Sequence, residues 1–128
     1  IEGHVEHSVI SPGVQVAVGA VVKDSIIMND TCIGRNSIID HAILDKNVTI
    51  EPDCHIGFGD DYRINRLNPA ILSSGLTLIG KRTVIPANYK IGRNCIIYAN
   101  VAAKELPESE VKSGETVKPK RRSVRTKA

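Results

Sequence analysis

The sequence has no tryptophan, one phenylalanine, one methionine and three cysteines in 128 residues. With 41% hydrophobic residues and almost no rings among them, any core must be built from Ile, Val, Leu and Ala, in thin layers of one domain. No run approaches the roughly 18 to 20 apolar residues of a membrane span, and no charged-then-apolar leader precedes the first repeat. A soluble, cytoplasmic protein is therefore expected. Cys32, Cys54 and Cys95 are odd in number and lack metal-ligand spacing, so they read as structural thiols. The sequence also lacks a Gly-rich phosphate loop, a nucleophile elbow and a pair of catalytic carboxylates. It opens on Ile1 and enters a repeat almost at once, which suggests a piece of a longer protein.

Charge is unevenly placed. Lys118, Lys120, Arg121, Arg122, Arg125 and Lys127 put six positive charges and no acid into the last eleven residues, leaving 11 basic against 14 acidic residues, net −3, elsewhere. Such a tail can hold an anion, and it also reads as a solvated end. A nucleic-acid partner is not expected, because no aromatic residues are interleaved with the basic ones.

What the chain does have is a rhythm. Aliphatic residues fall at Val5, Ile10, Val16, Val22, Ile27, Ile33, Ile39, Leu44, Ile50 and Ile56, in steps of 5, 6 and 6 that make a 17-residue repeat. Two places before each stands a small or slim residue, such as Ser8, Ala20, Ser25, Ser37, Ala42 or Cys54. A period near 5.7 drifts around a helix, whereas each triplet suits the in-out-in alternation of an extended segment. Before the triplets stand His7, Gly13, Gly19, Asp24, Asp30, Asn36, His41, Asn47 and Asp53, residue types that tolerate positive φ. Three triplets and three corners per repeat predict a triangular prism of parallel strands, one coil stacked on the next.

The rhythm stops after Gly57 and resumes at Thr77 with 18-residue coils. The expected organisation is a β-helix domain over 1–103 (coils 1–56, inserted loop 57–76, coils 77–103). A partial last coil and a basic, flexible tail follow over 104–128. Outward positions form columns: Val9, Ile26 and Ile43 on the first face, Gln15, Cys32 and Thr49 on the second, Val21, Ile38 and His55 on the third. Aliphatic stripes on the outside of a prism mark an interface, so Val9, Ile26, Ile43, Val21 and Ile38 are the candidate interface residues.

His7, Asp24 and His41 recur at 17-residue intervals, an array that invites a metal or acid–base reading. Backbone conformation accounts for them without chemistry, since each occupies a corner. Glu6, Lys23 and Asp40 also stack and read as ordinary surface pairing. His55, at the mouth of the inserted loop, is the remaining histidine candidate. From its residues alone the chain reads as a scaffold with no catalytic, cofactor or metal site.

The aliphatic-Gly-x-x-small-x pattern resembles the hexapeptide-repeat proteins, which implies an all-β, single-stranded left-handed parallel β-helix of 17–18-residue coils. More narrowly, the stretch Ile1 to Val14, the runs Asp24-Ser25-Ile26-Ile27-Met28 and His41-Ala42-Ile43-Leu44-Asp45-Lys46-Asn47-Val48, and Ile56-Gly57 before a loop resemble one known domain. It is the C-terminal β-helix of bacterial glucose-1-phosphate adenylyltransferase (ADP-glucose pyrophosphorylase), and the likeness covers residues 1–97. The resemblance implies a part of an enzyme that makes ADP-glucose and pyrophosphate from ATP and glucose 1-phosphate in glycogen synthesis. It places Mg²⁺ and ATP on an N-terminal catalytic domain that this sequence does not contain. The β-helix would dock on that domain, help build a tetramer and contribute to a regulatory site for phosphorylated metabolites. Arg63 and Arg66 in the loop, Lys81 and Arg82 at a turn, and the tail are the candidate anion contacts. Two other assignments stay open: a hexapeptide acyltransferase using His55, and a domain of another sugar-phosphate nucleotidyltransferase.

Overall fold

A computed structural model describes residues 2–59, 65, 75–108 and 110–119. Within them the chain winds as a parallel β-helix with three sheets, of six, six and four strands. The first face comprises Val9–Ile10, Ile26–Ile27, Ala42–Leu44, Thr77–Ile79, Ile96–Ile97 and Thr116–Val117. Gln15–Val16, Cys32–Ile33, Thr49–Ile50 and Val84–Ile85 make the second. The third is His4–Glu6, Val21–Lys23, Ile38–Asp40, His55–Ile56, Lys90–Ile91 and Glu110–Val111. Each strand pairs in parallel with its equivalent one coil away, with Val9 opposite Ile26 and Ile26 opposite Ile43. The only helix among the described residues is a short 3-10 turn at Ala103–Glu105. The architecture is consistent with the left-handed coil of hexapeptide proteins, and the sheets meet at corners rather than closing on themselves.

All nine corner residues named from the sequence have positive φ, from 48° at His7 to 80° at Gly13 and Gly19. A left-handed residue at each corner turns the chain without interrupting the ladder. At Gly57 (φ 84°) an added Cβ would also strike the carbonyl oxygen of Asp40, so that corner excludes a side chain on two grounds.

The inward aliphatics are sealed: Val22, Ile27, Ile39, Leu44, Ile56, Ile85 and Ile91 are all completely buried. Burial of each contributes roughly 1.5–3 kcal/mol. The small inward partners do more than leave room. Ser25 Oγ donates to Lys23 O (2.7 Å) and accepts the N–H of Ala42 one coil away (3.1 Å). Thr31, Ser37 and Thr77 likewise accept an N–H one coil away, from Val48, Cys54 and Cys95, but donate to carbonyls 14 or 15 residues further on, at Asp45, Glu51 and Gly92. Hydroxyls in the core are thus satisfied, and they tie coil to coil.

One inward position breaks the small-residue rule. Tyr89 is buried, and its hydroxyl donates to Pro107 O at 2.6 Å. It fits because the second face ends at Val84–Ile85, so the chain over 101–107 closes the side below. Val101, Leu106, Val111 and Val117 are buried there, carrying the core past residue 103. The inserted loop leaves at the corner between the third and first faces. Asn65, fully buried, is its described anchor: Nδ2 donates to Asn94 O (2.9 Å) and to Thr116 Oγ1 (3.2 Å).

Candidate functional site

The outward columns stand where the repeat predicts, and the first face is longer than the sequence reading made it. Val9, Ile26 and Ile43 continue in register into Leu78 and Ile96 before Thr116 ends the stripe. Val9 is 60% exposed and Ile26 39%, and neither has core to fill. The third face is mixed. Its outward column runs His4, Val21, Ile38, His55, Lys90 and Glu110, with Val21 and Ile38 only partly exposed.

The His7-Asp24-His41 array resolves into backbone geometry. All three residues have φ between 48° and 57°, and His7 Nδ1 lies 3.8 Å from Asp24 Oδ1 at an exposed corner. The Glu6-Lys23-Asp40 column is in register, but its carboxylates do not pair along it as the sequence reading expected. Glu6 contacts His4 (2.9 Å), and Asp40 contacts Arg93 Nη2 (3.1 Å), a partner brought in from 53 residues away. Column spacing cannot reveal such a long-range partner.

His55 projects from the third face and packs edge-on against Phe58, centroids 5.1 Å apart, while Lys90 Nζ sits 4.5 Å over the Phe58 ring. Burial lowers its pKa from the ordinary 6.5. Asp40 opposes that shift, and Arg93, Lys90 and Lys23 add to it. The imidazole is held neutral amid cations. Cys54 and Cys95 are buried; their thiols reach Pro86 O (3.0 Å) and Lys112 O (3.2 Å). Burial raises both pKa values, that of Cys95 to about 11, so neither is a nucleophile at neutral pH.

The corner between the first and second faces holds a residue that the sequence named for its charge alone. Arg82 has φ 60°, in a column otherwise made of Gly13, Asp30, Asn47 and Asn100. A long side chain there costs about 1–2 kcal/mol relative to glycine. Its Nε donates to Asn100 Oδ1 at 2.8 Å, and Lys46 and Lys81 stand exposed beside it on consecutive coils. The sequence named Lys81 and Arg82 as anion contacts but not the strained backbone. Arg63 and Arg66 lie outside the described residues.

With this geometry in hand, residues 1–79 match the family model described as GlmU-like, C-terminal hexapeptide. The chain belongs to that family. Among curated relatives, glucose-1-phosphate adenylyltransferase of Thermomicrobium roseum is 46% identical over 97 residues, covering 76% of this chain and 23% of the relative. The same enzyme of Acetivibrio thermocellus is 36% identical over 117 residues, covering 91% and 27%. The chain therefore spans about a quarter of the length of these relatives. Among solved structures, the acetyltransferase domain of PglB from Neisseria gonorrhoeae, in complex with acetyl coenzyme A, superimposes with a TM-score of 0.63 at 22% identity, over 91% of this chain and 51% of that one. At that identity the likeness is one of fold. No helix among the described residues is long and apolar enough to cross a membrane.

Proposed function

We propose that this hexapeptide domain is the assembly and regulatory part of a glucose-1-phosphate adenylyltransferase. The nucleotidyl transfer from ATP to glucose 1-phosphate, with its Mg²⁺, takes place on a catalytic portion outside the chain. The observation that carries the reading is the outward stripe Val9-Ile26-Ile43-Leu78-Ile96, five aliphatics on one face of a rigid prism. Such a stripe has no role in a solvated scaffold and a direct one in docking and oligomer formation. Similarity to adenylyltransferases at 46% and 36% identity supplies the chemistry of the parent. Lys81 and Arg82, with Arg63 and Arg66, are the proposed contacts for a phosphorylated effector.

The test is to assay ADP-glucose formation with the chain alone and joined to a relative's catalytic portion. Activity is expected only in the joined protein, with lower activity and a smaller oligomer when Ile26 or Ile43 is replaced by Lys. Turnover by the chain alone would overturn the assignment, as would acyl transfer from acetyl coenzyme A that disappears in His55→Ala.

A further inference from the structure

The last coil is the least supported part of the prism. Among the described residues the second face ends at Val84–Ile85, so Glu110–Val111 and Thr116–Val117 finish the stack on two faces only, each pairing with one neighbouring strand. A terminal coil of a solenoid has support on one side and frays before the interior. It is nevertheless seated closely. A Cβ added to Gly92 would strike Ser113, whose Oγ accepts the N–H of Arg93 at 2.9 Å, and Gly114 N donates to Arg93 O at 2.9 Å.

The same corner, Arg93-Asn94, holds the inserted loop at three points well separated in sequence. Arg93 Nε donates to Gly59 O at 2.8 Å, near the start of the insertion. Asn94 O accepts Asn65 Nδ2 at 2.9 Å, and Asn94 Oδ1 accepts the N–H of Gly75 at 2.7 Å, near its end. Asn94 is completely buried at φ 57°, so its backbone and its amide are both fixed by the corner. Asn65, equally buried, reaches on to the last coil. Its Nδ2 lies 3.2 Å from Thr116 Oγ1 and 3.4 Å from Glu115 O, and the Thr116 hydroxyl lies 3.3 Å from Oδ1. A buried amide stripped of such partners is costly, so the seat of Asn65 depends on the last coil being in place.

We propose that the last coil detaches and reseats as one unit with Asn65 and Gly75, and that Asn65 is the joint between them. When Glu110–Val111 and Thr116–Val117 leave the stack, Asn65 loses Glu115 and Thr116 and comes away from Asn94. The corner that Gly75 uses then loses its packing on both sides. The inner coils keep their shape, because the ladders from Val9 to Leu44 and the Ser25 and Ser37 hydroxyl bonds involve neither element. The two ends of the joint are linked reciprocally. A ligand or partner that engages the last coil steadies residues 65 and 75 by the same free energy with which anything held at the insertion steadies the last coil. The device thus carries a signal between a chain terminus and an insertion about 50 residues away in sequence.

Native-state amide exchange of the full chain, read residue by residue by NMR, tests the joint. In the parent, the N–H groups of Gly75 and Gly114 are expected to exchange through a common opening, about tenfold or more faster than those of Ala42 and Cys54 in the inner coils. Thr116→Val keeps the shape of the side chain and removes its hydroxyl. It should speed exchange at Gly75 on the order of tenfold, although the Gly75 N–H is bonded to Asn94 and not to Thr116. Thr116→Ser, which restores the hydroxyl, should return the parent rate. In the other direction, Asn65→Ala should speed exchange at Gly114 by a similar factor. Ala42 and Cys54 should exchange at the parent rate in all three variants. Gly75 unmoved in Thr116→Val overturns the proposal, as does Gly114 unmoved in Asn65→Ala. An equal acceleration at Ala42 and Cys54 also overturns it, since the bonds would then support the whole fold rather than a separate unit.

Discussion

Arg93 Nη2 lies 3.1 Å from Asp40 Oδ2, and Arg93 Nε donates to Gly59 O at 2.8 Å, so one guanidinium holds two coils and the stem of the inserted loop together. The two side chains are 11% and 18% exposed. Removing the carboxylate takes one charge-assisted bond from a largely buried guanidinium. Asp40→Ala should therefore destabilise the protein by about 1–3 kcal/mol, and by more than Glu6→Ala, whose carboxylate is about half exposed. Denaturant melts of the two decide the matter. Equal losses would mean the contact with Arg93 contributes no more than a surface pair.

Overpacking the prism is expected to be worse than hollowing it. Ala42 has no exposed surface and stacks between the small inward residues Ser25 and Thr77, with Ser25 Oγ on its N–H. Ala42→Leu forces the surrounding coils apart, at about 1–3 kcal/mol or more, and breaks that bond as well. Circular dichroism should show a protein that fails to melt cooperatively, while Leu44→Ala, which leaves a cavity, remains folded but weaker.

These two cases mark what was legible in the sequence. The prism, its corners and its outward columns follow from a local repeat, because each coil contacts only its neighbours and every residue's role is fixed by position in the triplet. Asp40 and Arg93, Asn65 and Asn94, and Tyr89 and Pro107 meet across an insertion or a missing strand, where no period governs spacing. The left-handed backbone of Arg82 escaped for a different reason. Corner residues were recognised by type, and an arginine at a left-handed corner is the wrong type, which is why its presence there is informative. Likewise Leu78 and Ile96 joined the first-face stripe only once the register across the inserted loop was known.

If His7, Asp24 and His41 serve backbone geometry, the corner should accept any residue at ease with positive φ. His41→Asn is expected to leave the melting temperature unchanged or slightly raised, whereas His41→Val, β-branched at φ 57°, should lose about 1–2 kcal/mol. Zn²⁺ added to the parent and to His41→Asn should shift neither melt. A Zn²⁺-dependent rise in the parent that vanishes in the variant would restore the metal reading of the column.

Alkali should open the structure from its lower end. Burial first, and then the charge of Glu110, pushes the Tyr89 hydroxyl from its ordinary 10.0 up to about 12; burial pushes the Cys95 thiol from 9.0 up to about 11. In each case the folded state holds the proton more tightly than the unfolded chain. The stabilisation is therefore complete below the unfolded value and is lost as pH rises through the folded one. Stability is expected to fall from about pH 9, where the unfolded thiol begins to ionise, to about pH 12. Cys95→Ala, a substitution that keeps a small inward residue, should lessen the earlier part of the decline, the buried Cys54 thiol, also raised by burial, keeping its share. Tyr89→Phe should remove the later part, at a cost near neutral pH of about 1 kcal/mol for the lost bond to Pro107. Thermal melts of the three proteins from pH 7 to 12 separate the contributions, and a Tyr89→Phe protein that loses stability as steeply as the parent above pH 10 would place the alkaline weakness elsewhere.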